Sequence, residues 1–474
     1  MAENVIGNRP LVRFGHGEKP SCRRDDGAKH PECSEDPETS SKHKDDMKIF
    51  FLALFLGAAT VGNAQAGRRP APAPGRGLRL GFDTLRLTRI DSVLQRAVDR
   101  SEIGGAVALV VRDGQTVYER AFGWSDREAK RRMTSDAIFR IASQTKALTS
   151  VAAMSLVEEG KLSLSDPVSR YIPDFDHTTV AVRADTGRVI VPAKRRITIR
   201  DLLTHTSGIS YGTDTLVAPL YSAAELGPAA GYGWYTADKK EPICLTIERL
   251  ATLPFLAQPG ERFVYGYSTD VLGCVVERAS GLPLDEVIRT RITDPLGMKD
   301  TYFFLPPEKK ARLTAVYSSS PEMKIARAPD GPRGQGNYVD GPRRSFSGGA
   351  GLLSTARDYA RFLQMLLNGG SLDGARVLAP RTVALMTSNQ TGTLYSQTGQ
   401  GFGLGFSIVE QPGADGRVES VGTFGWGGAY GSTYEADPKE HLVLVFMIQL
   451  LPNRTDVAPK FPMLVYQALV EPRP

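Results

Sequence analysis

Phe139-Arg140-Ile141-Ala142-Ser143-Gln144-Thr145-Lys146 leads into Ala147, Leu148, Val151, Ala152, Met154, Leu156 and Val157, and the reading of this chain turns on that passage. From Ser143 to Glu159 the side chains are almost all small or apolar, and Gly160 follows where a helix would be capped. The stretch therefore predicts a helix buried on most sides. Ser143 and Lys146 are three residues apart, which puts both on one face of that helix. A serine hydroxyl is a weak nucleophile that needs a proton acceptor beside it. A lysine amine can serve when it is neutral, and burial disfavours the charged form. The plainer reading is that Ser143 caps its helix and Lys146 points to solvent. The chain carries its own control: Ser41-Lys42-His43-Lys44 repeats the spacing inside a charged segment where it has no chemistry.

Working outward, Leu85 to Arg100 places apolar residues at spacings of three and four, as an amphipathic helix does. Gly104 to Val111 and Gln115 to Phe122 are β-branched or apolar runs on either side of Asp113-Gly114, a strong hairpin signal. Thr198-Ile199-Arg200-Asp201 reads as a capping arrangement at the head of a short helix. Ile247 to Leu253, Ser268 to Ala279, Leu284 to Ile292 and Ser354 to Asn368 read as helices, the last with Ser354 and Thr355 as candidate caps. Ile209 to about Glu241 and Pro306 to Ser347 lose periodicity and read as long loops, the first rich in aromatics and of the kind that either lids a site or is disordered. Strands return at Gly403 to Val409, Val418 to Phe424, Ser432 to Ala436 and Leu442 to Leu450, before a last helix over Lys460 to Val470. The expected architecture is one α/β layer built from about 81–155 and 345–474, with a helical subdomain at about 156–344 inserted between them.

Composition narrows the chemistry. Of six histidines in 474 residues, His16, His30 and His43 lie near the start, leaving His177, His205 and His441, so a histidine-rich metal centre is excluded. Cys22, Cys33, Cys244 and Cys274 show no zinc-ligand spacing, and neither a metal nor a cofactor is expected. Cys274 sits in the apolar run Val271, Leu272, Val275 and Val276, where a buried free thiol is the expectation, although one disulfide with Cys244 is permitted. The formal net charge is +6, with basic residues scattered rather than interleaved with aromatics, which argues against nucleic acid as a partner. Lys48, the apolar run Ile49 to Val61 and Ala64-Gln65-Ala66 form the pattern of a signal peptide beginning at Met47. Residues 1–46 then read as an upstream extension, 47–66 as the signal peptide, 67–80 as a Pro-rich flexible linker and 81–474 as the folded part. The thirteen-residue run is short for a membrane span, so the expected location is periplasmic or secreted with no stable span.

With histidine so scarce, a hydrolase here needs another base, and four further motifs supply the context. Leu202-Leu203-Thr204-His205-Thr206-Ser207-Gly208, Pro259-Gly260-Glu261-Arg262-Phe263-Val264-Tyr265, Gly348-Gly349-Ala350-Gly351-Leu352-Leu353-Ser354-Thr355 and Phe424-Gly425-Trp426-Gly427-Gly428-Ala429-Tyr430-Gly431 follow Ser143-x-x-Lys146 in order. From about Leu78 to Val470 the chain resembles the class C β-lactamase and penicillin-binding serine hydrolase superfamily. That resemblance implies an antiparallel sheet flanked by helices. Two departures narrow the branch: the usual Tyr-x-Asn is Tyr265-Gly266-Tyr267, and the usual Lys-Thr-Gly or His-x-Gly is Trp426-Gly427-Gly428. Trp-Gly-Gly in that place is similar to the family VIII carboxylesterases.

The resemblance implies Ser143 as nucleophile, Lys146 and Tyr265 as the acid/base pair with the base unassigned between them, and the Ser143 and Ala429 N–H groups as oxyanion hole. Trp426, Gly427, Gly428 and Tyr267 would contact substrate. The plainer alternatives are core packing for Tyr265 and Trp426. The implied activity is hydrolysis of short-chain carboxylic esters, small uncharged molecules, with some cephalosporins as marginal substrates. A β-lactamase or D-alanyl peptidase using the same residues, and a catalytically silent penicillin-recognising protein, are the alternatives. A rival nucleophile, Ser210 in Gly208-Ile209-Ser210-Tyr211-Gly212, lacks the strand-before, helix-after setting of an α/β-hydrolase elbow. In the resembling family the histidine at the place of His205 is structural.

Overall fold

Asp113 and Gly114 take φ of +54° and +72°, the left-handed pair that a two-residue hairpin turn needs, and they join β1 (Gly105–Arg112) to β2 (Gln115–Asp126). The remaining strands of the main sheet are β3 (Arg131–Arg132), β4 (Gln400–Phe402), β5 (Ser407–Val409), β6 (Phe424–Gly427), β7 (Thr433–Asp437) and β8 (Leu442–Ile448). The computed structural model describes residues 78–226, 237–331, 334–396 and 398–473. The sequence readings of 1–46, of 47–66 and of the linker up to residue 77 lie outside the described residues. At the end of that linker, Leu78–Arg79 pairs with Phe82–Asp83.

The eight strands run in the order β4-β5-β6-β7-β8-β1-β2-β3, every neighbouring pair antiparallel. The N- and C-terminal parts of the chain meet inside the sheet, where β8 pairs with β1 from Leu442↔Arg112 to Ile448↔Ala106. Both strands are buried on both faces, which is why they read as unbroken apolar runs. Period-two alternation divides them between two cores. Ala106, Ala108, Val110, Leu444 and Phe446 pack under α1 (Thr84–Asp99) and the C-terminal helix, whereas Val107, Leu109, Val111, Val443, Val445 and Met447 face α8 (Ala356–Leu367), in a core that also takes in α2 (Thr145–Glu158). This is the α/β fold of the sequence reading: an antiparallel sheet flanked by helices, with helical insertions.

The other helices are α3 (Ile199–Leu203), α4 (Ala218–Ala223), α5 (Ile243–Ala251), α6 (Ser268–Ser280), α7 (Leu284–Ile288), α8 (Ala356–Leu367), α9 (Pro380–Met386) and α10 (Val457–Ala468). The capping box at Thr198 and Asp201 forms as expected, and Thr355 caps α8 through the Asp358 N–H. Ser354 instead lies in a short strand, its hydroxyl paired with that of Thr301.

Several boundaries differ, each for a local reason. The expected strand from Gly403 to Val409 is a hairpin whose turn is closed by Gly403 N–H to the Phe406 carbonyl, with Gly405 at φ +102°. The expected strand from Val418 begins only at Phe424, because a turn at Ser420–Thr423 precedes it and leaves Val418 and Val421 exposed. α7 runs on into a π-helical turn over Arg289–Thr293. The long loops hold α4, a 3₁₀ turn (Pro307–Arg312) and a small hairpin (Tyr317–Ser319 with Ile325–Arg327), while Tyr232, Trp234 and Tyr235 lie outside the described residues. An exposed hairpin, Thr179–Ala184 with Gly187–Pro192, was not anticipated.

The cysteine expectation is overturned. Cys274 is buried as its apolar neighbours indicate, but it is joined to Cys244 in a disulfide. Burial was legible from the run; the packing of α5 against α6, which brings together cysteines 30 residues apart, was not.

Candidate active site

Ser143 sits in a single 3₁₀ turn, Ala142–Gln144, immediately before α2, and it makes no side-chain cap, so the plain capping role is absent. The segment leading to it is anchored from three sides. Gln449 pairs its side-chain amide with the Arg140 N–H and carbonyl at 3.1 and 2.9 Å, the buried Arg140 guanidinium donates to the Gln335 and Thr314 carbonyls, and the Ile141 N–H donates to the Leu352 carbonyl. Ala142 adopts φ +45°, a left-handed conformation disfavoured for a residue with a Cβ. Such strain persists only where surrounding contacts enforce it, and it is commonly stored at functional sites.

Lys146, one turn on, is 3% exposed and does not reach solvent. Its ammonium nitrogen lies 3.3 Å from Ser143 Oγ, 2.8 Å from the Gly349 carbonyl and 2.9 Å from Tyr211 Oη. α2, which carries Lys146 and begins two residues after Ser143, is buried from Thr145 to Leu156 and packs on α6. Tyr265 comes from the loop just before α6. Its ring lies 4.8 Å from Lys146 Nζ and 4.7 Å from the His205 ring, and its hydroxyl accepts from Trp426 Nε1 at 3.1 Å. Serine and lysine from one segment, and tyrosine and tryptophan from two others, are thus brought together.

Gly427 and Gly428 close β6 beside the same turn. A Cβ on Gly428 would lie 2.5 Å from the Ile141 carbonyl, so only glycine allows this strand end to approach the nucleophile's loop. Ala429 is buried against Ala142 and Tyr430. Tyr267 is not gathered in. It lies behind Tyr211, ring centroids 4.8 Å apart, with its hydroxyl donating to the Leu226 carbonyl.

Tyr211 was missed as a site residue. The only signal was its place three residues after the Leu-Leu-x-His-Thr-Ser-Gly signature, since a lone loop tyrosine has no pattern. Burial, then the neighbouring Tyr265 and the Asp270 charge, hold its phenol well above the ordinary tyrosine range, so it stays protonated. His205, at φ +54°, is fully buried, and burial together with the Lys146 charge holds it well below the usual imidazole range. A neutral imidazole packed on Tyr265 is a wall for that ring rather than a proton shuttle. Ser210 Oγ accepts from the Gly212 N–H and sits in an ordinary turn. Beyond Trp426, Phe402, Tyr395 and Phe263 continue an aromatic wall, with ring centroids 4.8 to 6.3 Å apart.

Among the described residues no group of three or more His, Cys, Asp or Glu could hold a metal ion, and no helix is long and apolar enough to cross a membrane. The chemistry on hand is that of a buried hydroxyl beside an amine and a tyrosine, which suits acyl transfer.

The family described as Beta-lactamase matches residues 90–465. Protein Rv1367c of Mycobacterium tuberculosis is 37% identical over 378 residues, 76% of this chain and 89% of that protein. Esterase EstB of Burkholderia gladioli is 35% identical over 366 residues, 74% and 86% of the two chains. The solved structure of EstCE1, described as a hydrolase with promiscuous acyltransferase activity, superposes with a TM-score of 0.67 at 28% identity, covering 82% of this chain and 99% of that one. The chain belongs to the Beta-lactamase family of serine hydrolase-type proteins.

Proposed function

We propose that this protein is a carboxylesterase of the family VIII type that cleaves short-chain, uncharged esters through an acyl-enzyme on Ser143. The observation that carries the reading is the buried Ser143–Lys146 pair, with Lys146 Nζ aimed by the Gly349 carbonyl. In its neutral form Lys146 takes the Ser143 proton as Oγ attacks the ester carbonyl. The tetrahedral oxyanion is met by the Ser143 and Ala429 N–H groups. The proton passes to the departing alcohol through Tyr265, whose hydroxyl the Trp426 N–H orients. Water then attacks the acyl-enzyme, giving up a proton to the same groups, which return it to Ser143 Oγ as the acyl–Oγ bond breaks and the acid leaves.

Substrate class follows from Trp426. An indole offers an apolar wall and one N–H donor, and here that donor is engaged by Tyr265. An anionic substrate that would use a cation or histidine in that place forgoes a charge-assisted hydrogen bond worth about 1.5 to 3 kcal/mol. A neutral ester forgoes nothing, and the wall of Tyr395 and Phe263, backed by the buried Phe402, suits its apolar part. Esterase EstB, among the relatives, supports the same class. The Cys244–Cys274 disulfide supports export to an oxidising compartment, periplasmic or extracellular.

The deciding experiment compares kcat/KM for p-nitrophenyl acetate, butyrate and hexanoate with that for a chromogenic cephalosporin. The esterase reading expects butyrate to exceed the cephalosporin by at least about tenfold, the low end of the lost-bond energy. A cephalosporin at or above butyrate would replace it by a β-lactamase using the same residues.

A further inference from the structure

Ser347, Gly348 and Gly349 form a turn gripped between two helices. From α2, Thr149 Oγ1 donates to the Gly348 carbonyl and Lys146 Nζ to the Gly349 carbonyl, each at 2.8 Å. From α6, Asp270 Oδ1 accepts from the Gly349 N–H at 3.1 Å and from the Ser347 hydroxyl, which itself accepts from the Ala350 N–H. Asp270 is completely buried. A carboxylate taken out of water is costly to keep unless hydrogen bonds hold it, so its presence here calls for a reason. Both glycines are dictated by the grip. A Cβ on Gly349 would lie 2.3 Å from Asp270 Oδ2, and one on Gly348 would lie 2.6 Å from the Thr269 carbonyl.

One residue, Gly349, therefore offers its N–H to Asp270 and its carbonyl to Lys146. We propose that Asp270 is a positioning residue of the active site: its carboxylate clamps the Ser347–Gly349 turn, the turn aims Lys146 at Ser143, and its charge tunes the pH range in which that pair works. The inference rests on the reading of Ser143 and Lys146 as the reacting pair. Ser347 and Gly349 bond to the carboxylate, Lys146 and Thr149 of α2 bond to the carbonyls of the turn it holds, and Tyr211 from the preceding loop and Tyr267 at the head of its own helix feel its charge. After burial, the Asp270 charge is among the causes that hold both phenols above the ordinary range, so the charge is felt at the ring that Lys146 touches.

Wild type, Asp270→Asn and Ser347→Ala are each titrated with a fluorophosphonate to count reactive Ser143, then assayed on p-nitrophenyl butyrate across pH. Asp270→Asn keeps the size and an acceptor for the Gly349 N–H but removes the charge. Its kcat per titrated site falls at least about tenfold with KM within about twofold, a loss felt in the reacting state rather than in binding. The acid limb of its kcat/KM profile moves down by about half a pH unit or more, because a buried carboxylate favours the protonated form of a neighbouring base. Ser347→Ala keeps the charge and removes one arm of the clamp, so its kcat per site falls at least about threefold while the acid limb stays in place. Wild-type kcat per site with an unmoved acid limb in Asp270→Asn, whatever its melting temperature, overturns the proposal. Should that variant yield no folded protein, wild-type kcat per site in Ser347→Ala overturns it instead. A fluorophosphonate found on another serine of the wild type sinks the underlying assignment, which is a separate failure.

Discussion

At Ser143 the decisive fact is its partner's isolation from water: Lys146 has three hydrogen-bonding neighbours within 3.3 Å and 3% exposure. Ser143→Ala is expected to abolish ester turnover with the melting temperature little changed, since a buried hydroxyl that makes no cap is removed. An organophosphonate should label Ser143, and label on Ser210 would refute the assignment. Lys146→Ala and Tyr265→Phe should each lower kcat by at least about a hundredfold, the usual range for a lost acid–base partner. Either variant keeping wild-type kcat would remove that residue from the proposed shuttle. Serine and lysine were legible in the sequence because a helix fixes the geometry of residues three apart. Tyr211 was not, because its approach to Lys146 depends on how a loop folds back 65 residues later.

Among the elements, α2 and α6 matter most, since one carries Lys146 directly behind the Ser143 turn and the other begins just after Tyr265. The Cys244–Cys274 bond ties α6 to α5, closing a loop of 30 residues. Loop-closure entropy alone makes such a link worth about 3 to 4 kcal/mol. Cys244→Ser combined with Cys274→Ser should therefore lower the unfolding free energy by an amount of that order in chemical denaturation. A double variant as stable as wild type would show the bond to be dispensable or unformed. Element existence was readable wherever periodicity was long: α1, α2, α8, β1, β2 and β8 stand close to where their patterns put them. Short apolar runs misled. Val418 and Val421 look like strand residues and are exposed beside a turn.

For the molecule as a whole, pH and compartment give two further tests. His205 is neutral in the fold because burial and Lys146 hold its imidazole well below 6.5. Below pH 6.5 the unfolded chain therefore binds a proton that the folded one refuses, so stability is lost as pH falls through that value. Melting temperature should drop between pH 7 and 5, and His205→Asn should flatten that slope; an equal slope in the variant would mean another group is responsible. Export is checked by expressing the chain from Met47 in a bacterial host. The product should appear outside the cytoplasm and begin at Gly67. Retention of residues 47–66 in the mature protein would point to an anchor instead.

The sequence by itself determined the chemistry available and the order in which it is strung out. Scarce histidine, Ser143-x-x-Lys146 on one helical face, and four motifs in sequence are local facts that need no packing to be read. The apolar runs of β1 and β8, and the capping at Thr198 and Thr355, belong with them, because run and cap are set within a few residues. Only the tertiary structure decided what those residues touch. It brought Trp426 to Tyr265 across 161 positions, Gly349 to Lys146 across 203, and Cys244 to Cys274, and it put Asp270 behind the turn that aims the lysine. Those contacts depend on how α2, α6 and the sheet are stacked, a many-body packing result that no single segment encodes.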